Sequence, residues 1–149
     1  MIDEAPDAAT EVELSCGTVA VARYCVAPDL PAAVSPRPHL HPVRTLAGTA
    51  VTESGPADHP HHLGAGVAIA DLGTGNFWGG RTWMPGRGPC WLANHGRQRH
   101  LEWLTRSPHR LAQELSWEHA HGAQVLRERR CMTVRVMGDG CWALDFRFT

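Results

Sequence analysis

The chain has 149 residues, of which 43% are hydrophobic and 19% charged, and its formal net charge is −1. That length suffices for one domain with its own core, and the charge is too small and too mixed for a global field that attracts nucleic acid, an anionic membrane or acidic substrates. No apolar run approaches the roughly twenty residues a membrane helix needs, so neither a nucleic-acid nor a membrane partner is expected.

All 14 basic residues are arginine, scattered along the chain rather than patched, which fits a codon bias better than a dedicated anion-binding surface. Cys16, Cys25, Cys90, Cys131 and Cys141 show no Cys-x-x-Cys spacing, and the N-terminal MIDEAPDAATE is acidic and polar. Reduced thiols in a cytoplasmic protein are the expectation.

Residues 1–10 read as a disordered lead-in and 11–149 as one β-sandwich domain. Residues 11–15 and 18–26 alternate or run apolar with β-branched side chains, turning at Cys16-Gly17. Residues 28–38 are a proline-rich connection. Short strands are predicted at 39–45 and 49–53, a loop over 54–64, and a buried strand over 65–72 ending at Gly73-Thr74-Gly75. Residues 77–83 and 90–93 are short, aromatic and glycine-bounded.

Strands then follow at 100–106, 110–118, 123–137 and 141–149, with turns at Ser107-Pro108, His121-Gly122 and Gly138-Asp139-Gly140. A helix could be drawn over 109–130 through Leu111, Leu115 and Glu118. Gly122 would interrupt it, and Met132, Val134 and Val136 alternate as a strand does. The fold class is therefore all-β, an antiparallel β-sandwich. The apolar final strand Trp142, Leu144, Phe146, Phe148 stops without a polar tail, as it would in an incomplete half of a larger sandwich. An uncovered edge would favour a homo-oligomer or a second chain that completes the sheet.

The chemistry concentrates in Asp58-His59-Pro60-His61-His62-Leu63-Gly64 and, upstream, Arg37-Pro38-His39-Leu40-His41-Pro42. Histidine ligates metals, moves protons near neutral pH and donates to polar ligands. The pairs His39/His41, His59/His61 and His119/His121 have His-x-His spacing, which puts both rings on one face of an extended segment and suits one metal ion. His41, His59 and His61 are the metal candidates, for one transition metal ion. Asp58 could orient a ring and Glu53 could act as ligand or base. His119 and His121, in a polar turn, read more simply as surface residues.

A second group, Asn76-Phe77-Trp78-Gly79-Gly80-Arg81 with Trp83, Trp91 and Asn94-His95-Gly96, interleaves aromatics with amide and guanidinium groups. Such a mixture suits a polar planar or sugar-like ligand, although tryptophans also pack β-protein cores. No nucleophile elbow, phosphate loop or dinucleotide fingerprint is present.

The segments Arg37-Pro-His-Leu-His-Pro-Val-Arg-Thr-Leu-Ala-Gly48, Asp58-His-Pro-His-His-Leu-Gly64 and Asn76-Phe-Trp-Gly-Gly80 resemble the PmoA-like family, bacterial proteins often labelled methane oxygenase. The stretch Asn94-His-Gly-Arg-Gln-Arg-His100 also fits, as do 126–130 and 143–146. The resemblance runs from about residue 20 to the end and implies a β-rich protein of which this chain is the N-terminal half.

It also implies an association with sugar catabolism, hence a His/Arg-rich polar pocket for a carbohydrate-derived small molecule. By motif, the catalytic candidates are His59, His62 and His41, one acting as general acid or base. The substrate-binding candidates are Arg37, Arg44, Asn76, Trp78 and His95, with an arginine holding a carboxylate or oxyanion. The family label itself points to the alternative of an Fe or Cu oxygenase. A non-catalytic fragment or interaction module is the third reading.

Overall fold

The first hairpin forms where the sequence alternates. In the computed structural model, which describes residues 10–138 and 140–149, β1 (Glu11–Cys16) buries Val12, Leu14 and Cys16 and exposes Glu11 and Glu13. It turns through Gly17, whose φ of +61° an L side chain rarely adopts, into β2 (Val19–Cys25). β3 (His39–Val43) adds to the other side of β2, giving an antiparallel sheet of order β1-β2-β3.

A small hairpin follows, β4 (Thr82–Met84) with β5 (Gly88–Cys90). The second large sheet is a four-stranded antiparallel meander of β6 (Arg97–Ser107), β7 (Arg110–Glu118), β8 (Gln124–Gly138) and β9 (Cys141–Phe148). Its pattern is the two-residue period of strands, and the helix drawn over 109–130 does not form.

The two large sheets enclose a common core. Leu14, Val21, Tyr24 and Leu40 from one meet Leu111, Met132 and Val134 from the other, with Trp103, Trp142, Leu144 and Phe146 packed at the margin. Polar bonds also cross between the sheets, among them Ser15 N–H to the Pro108 carbonyl at 2.6 Å and Trp142 Nε1–H to the Arg44 carbonyl at 3.0 Å. Truncating one of the fully buried leucines to alanine would cost about 2–5 kcal/mol.

Strand β7 is buried on both faces. Its outer carboxylates, Glu114 and Glu118, lie under arginines of the neighbouring strands: Arg127 and Arg129 on Glu114, Arg97 and Arg99 on Glu118. The long arginine stems cover the sheet while their guanidinium groups stay in water.

Two expected strands are absent. Residues 65–72 are a partly exposed loop, joined to the edge of β3 only where Leu40 and Ala65 exchange hydrogen bonds of 2.8 and 3.0 Å. Only its start lies against the sheet: Ala65 packs on the core and Gly66 comes so close that a Cβ there would sit 3.2 Å from the Pro38 carbonyl oxygen, while Ile69 and Ala70 are exposed. Residues 49–53 contribute one bridge, Arg44 with Ala50. The disordered reading of residues 1–10 falls outside the described residues except at Thr10, whose carbonyl accepts the Val26 N–H at 2.8 Å. Asp139 of the last turn also falls outside them. No helix among the described residues is long and apolar enough to cross a membrane.

Candidate ligand cleft around Arg37

The histidine loop is closed on itself. Gly55 N–H donates to the His62 carbonyl at 2.8 Å, Gly64 N–H to the Glu53 carbonyl at 3.1 Å, and Leu63 is buried as an apolar anchor. Gly64 has φ +48°, and a Cβ there would fall 2.2 Å from the Leu40 carbonyl oxygen, so the loop can seat on β3 only with glycine at this point.

The closed loop gathers three rings. The His59 and His62 centroids lie 4.8 Å apart, those of His61 and His62 4.7 Å, and the His62 and Trp78 rings stand nearly perpendicular with centroids 5.9 Å apart. Asp58 Oδ2 sits 3.0 Å from His59 Nδ1, as the sequence suggested for an orienting carboxylate. Burial, then the nearby His62 and His59 rings, hold His61 below the usual imidazole range, so it stays neutral near pH 7.

Beneath this loop lies Arg37, only 5% exposed. Its Nη1 donates to the carbonyls of Val34 and Ser35 at 3.1 Å each and of Trp78 at 2.9 Å, and its Nη2 to that of His61 at 2.8 Å. One side chain thus ties three loops together. No carboxylate pairs with it among the described residues, and burial, reinforced by the like charge of Arg130, lowers its pKa to about 10. Arg37, His62, Leu63, Gly64 and Trp78 line a cleft of about 280 Å3.

Asn76 shapes the third loop. Buried at 1% exposure, its Oδ1 accepts the N–H groups of Trp78 and Gly79 at 2.9 Å each, and its Nδ2 donates to Thr82 Oγ1 at 3.2 Å. This clamp turns the chain through Gly79 and Gly80, at φ +101° and +67°. Glycine is required there because His61 packs on both, and a Cβ on Gly79 would lie 2.6 Å from the His61 Cβ. Asn76 therefore acts by presenting Trp78, which remains 42% exposed.

The other candidates lie apart. His41 bonds Thr52 Oγ1 at 3.1 Å and faces a larger cleft of about 660 Å3, which it lines with His39, Ser54, Pro60 and Leu63. Leu63 thus stands between the two clefts. His39 is buried and donates from Nδ1 to the Arg37 carbonyl at 3.0 Å, with Ser54 Oγ 3.4 Å from Nε2. His95 is spent on structure, donating from Nε2 to the Gly80 carbonyl at 2.7 Å, and borders a third cleft with His119 and His121. Arg44 donates to Gly48 in its own turn and does not line the Arg37 cleft.

The metal candidates do not converge. The rings of His59 and His61 lie 6.1 Å apart and packed against His62, while His41 lines the other cleft. Among the described residues no group of three His, Cys, Asp or Glu side chains is placed to hold a metal ion. A tetrahedral or octahedral donor set needs such convergence.

Sequence reasoning missed the buried polar network between the sheets. Arg130, fully buried, forks onto Glu128 with Nε–Oε1 at 2.7 Å and Nη2–Oε2 at 2.8 Å. It also donates to Tyr24 Oη at 3.2 Å, the Pro38 carbonyl at 3.2 Å and Gln98 Oε1 at 2.8 Å. Gln113 donates to Tyr24 Oη as well, and Trp117 Nε1–H to Glu128 at 2.7 Å. Burial pushes the Tyr24 phenol up to about 12. Through Pro38, next to Arg37, this network holds the floor of the cleft. The available signal was the two-residue spacing that puts Gln113 between Leu111 and Leu115, and Glu128 and Arg130 between Leu126 and Met132.

Over residues 11–149 the chain matches a family described as "Family of unknown function (DUF6807)". The chain belongs to that family. The match takes in both large sheets, the histidine loop, Arg37 and the Asn76 clamp. No curated protein and no solved structure matches the chain.

Proposed function

We propose that the cleft over Arg37 binds a small carbohydrate-derived acid. The observation that carries this reading is Arg37 itself, a nearly buried cation satisfied by carbonyl dipoles and by no carboxylate among the described residues. A guanidinium in that state attracts an anion, and its Nε–H and second Nη2–H have no protein acceptor among those residues. The ligand carboxylate lies toward Arg37, its hydroxyls meet His62 and His59, and its apolar face lies against Trp78. Imidazole ring nitrogens exchange hydrogen bonds with such hydroxyls. The PmoA-like motifs around Arg37, His59 and Asn76 point to the same ligand class. The thiols of Cys16, Cys25, Cys90 and Cys131, none in a disulfide, fit a reducing compartment such as the cytoplasm.

Calorimetric titration with galacturonate, glucuronate and gluconate, and with glucose as the neutral control, tests the proposal. The acids should bind at least ~10-fold tighter than glucose, a difference of about 1.4 kcal/mol. Binding should vanish in the double variant His59→Ala/His62→Ala while the melting temperature holds. Undiminished binding in that variant would refute the assignment.

A further inference from the structure

The β4–β5 hairpin presents an aromatic face that neither the fold nor the cleft uses. Its register places Trp83 opposite Pro89, with Thr82 opposite Cys90 and Met84 opposite Gly88. Exposure alternates accordingly: Thr82, Met84, Gly88 and Cys90 are turned inward, while Arg81, Trp83, Pro89 and Trp91 are exposed. Trp83 is 72% and Trp91 61% exposed, an unusual placement for the largest apolar side chain.

The inward face is fixed, because Thr82 Oγ1 accepts from Asn76 at 3.2 Å and donates to Asn94 Oδ1 at 3.3 Å. The outward rings therefore stand on a held platform. The Arg81 guanidinium lies over the Trp91 ring, 5.9 Å from its centroid, and Arg87 is exposed at the hairpin tip. Neither arginine pairs with a carboxylate among the described residues. From Leu72 to Leu101 the sequence contains no Asp or Glu, so the hairpin and its flanking segments bring arginines and no negative charge of their own.

We propose that this hairpin face docks an acidic polysaccharide, a polymer of uronic acids. The apolar faces of successive pyranose rings stack on Trp83 and Trp91, and their carboxylates reach Arg81 and Arg87. The two arginines are too few for a phosphate backbone, which is gripped by a wider basic patch. A bilayer surface would demand a broader apolar face than two rings and a proline. The proposal takes from the cleft reading its ligand class, a sugar acid, but stands on different residues.

Affinity electrophoresis of the full chain in gels containing polygalacturonate tests it, with dextran as the neutral polymer. Polygalacturonate should retard the wild type and dextran should not. Trp83→Ala/Trp91→Ala should weaken retardation at least ~10-fold with an unchanged melting temperature, since both side chains are exposed. Arg81→Gln/Arg87→Gln should reduce it by a similar factor. His59→Ala/His62→Ala should leave it intact, so that failure of the cleft reading and failure of this one are separable. Retardation that survives the tryptophan substitutions, or that disappears only with the histidine pair, would overturn the proposal. So would absence of retardation combined with tryptophan-dependent binding to oligothymidylate or to phosphatidylglycerol vesicles.

Discussion

Arg37 Nη2 donates to the carbonyl oxygen of His61 at 2.8 Å, and through that bond a buried cation sets the position of the histidine loop. The same guanidinium holds Trp78 by its carbonyl at 2.9 Å, so the two walls of the cleft share one support. Replacing Arg37 with Ala should cost about 2–4 kcal/mol, since several charge-assisted bonds of roughly 1.5–3 kcal/mol each are lost and partly replaced by water. Arg37→Lys should cost less yet still abolish binding of sugar acids, because an ammonium cannot span the three loops. Urea unfolding and calorimetry check both; full binding by the lysine variant would contradict the support role.

The Arg130–Glu128 pair in the sandwich should behave as a buried ion pair. Arg130→Met should destabilise by about 3–5 kcal/mol, because Glu128 is left charged and buried. Adding Glu128→Leu should recover part of that loss, although Trp117 Nε1 then loses its acceptor. A double variant less stable than the single one would show that the network acts through bonds other than the pair.

Stability should fall below neutral pH through His39 and His61. Burial holds both below the usual imidazole range, with neighbouring positive groups adding to it. A base whose folded pKa is depressed binds fewer protons folded than unfolded. Its penalty therefore sets in as pH falls below the unfolded value of about 6.5 and is complete once pH passes the folded value. Chemical denaturation at pH 7.5 and 5.5 should show the loss, and His39→Gln should reduce it. An unchanged pH dependence in that variant would assign the effect elsewhere.

A second acid transition should come from the outer face of the meander. Hydrogen bonds from Arg127 and Arg129 lower Glu114, and bonds from Arg99 and Arg97 lower Glu118. A depressed carboxylate stabilises fully above its unfolded value of about 4.3, and the gain is lost as pH falls through the folded value. Glu118→Gln should flatten the stability profile below pH 4.5, more visibly at low salt, because these pairs meet solvent.

The strands with clean alternation were legible in the sequence. Leu111, Leu115 and Trp117 fell on one face because the two-residue period is a property of the backbone itself. The apolar run 65–72 misled because periodicity cannot separate a buried strand from a loop laid against a sheet edge, and only Ala65 finds a partner there. At the site, His59, His61 and His62 were legible as neighbours because four residues of chain contain them. Their meeting with Trp78 was not, since it depends on Arg37 and Asn76 clamping loops distant in sequence. The sequence also grouped His41 with the others, whereas β3 turns it to the far side of Leu63. The network around Arg130 was hidden for the same reason: the partners of Arg130 come from three strands and the segment before β3.

The proposed sugar acid would sit between Arg37, His62 and Trp78. Nuclear magnetic resonance of the histidine rings and indole N–H groups, followed while galacturonate is titrated in, tests it most directly. Saturable shifts are expected at His62 and at Trp78 Nε1–H, smaller ones at His59, and none at His41 or His95. Shifts confined to His41 and His39 would move the ligand to the other cleft, and saturating galacturonate without any shift at His62 would rule out binding over Arg37.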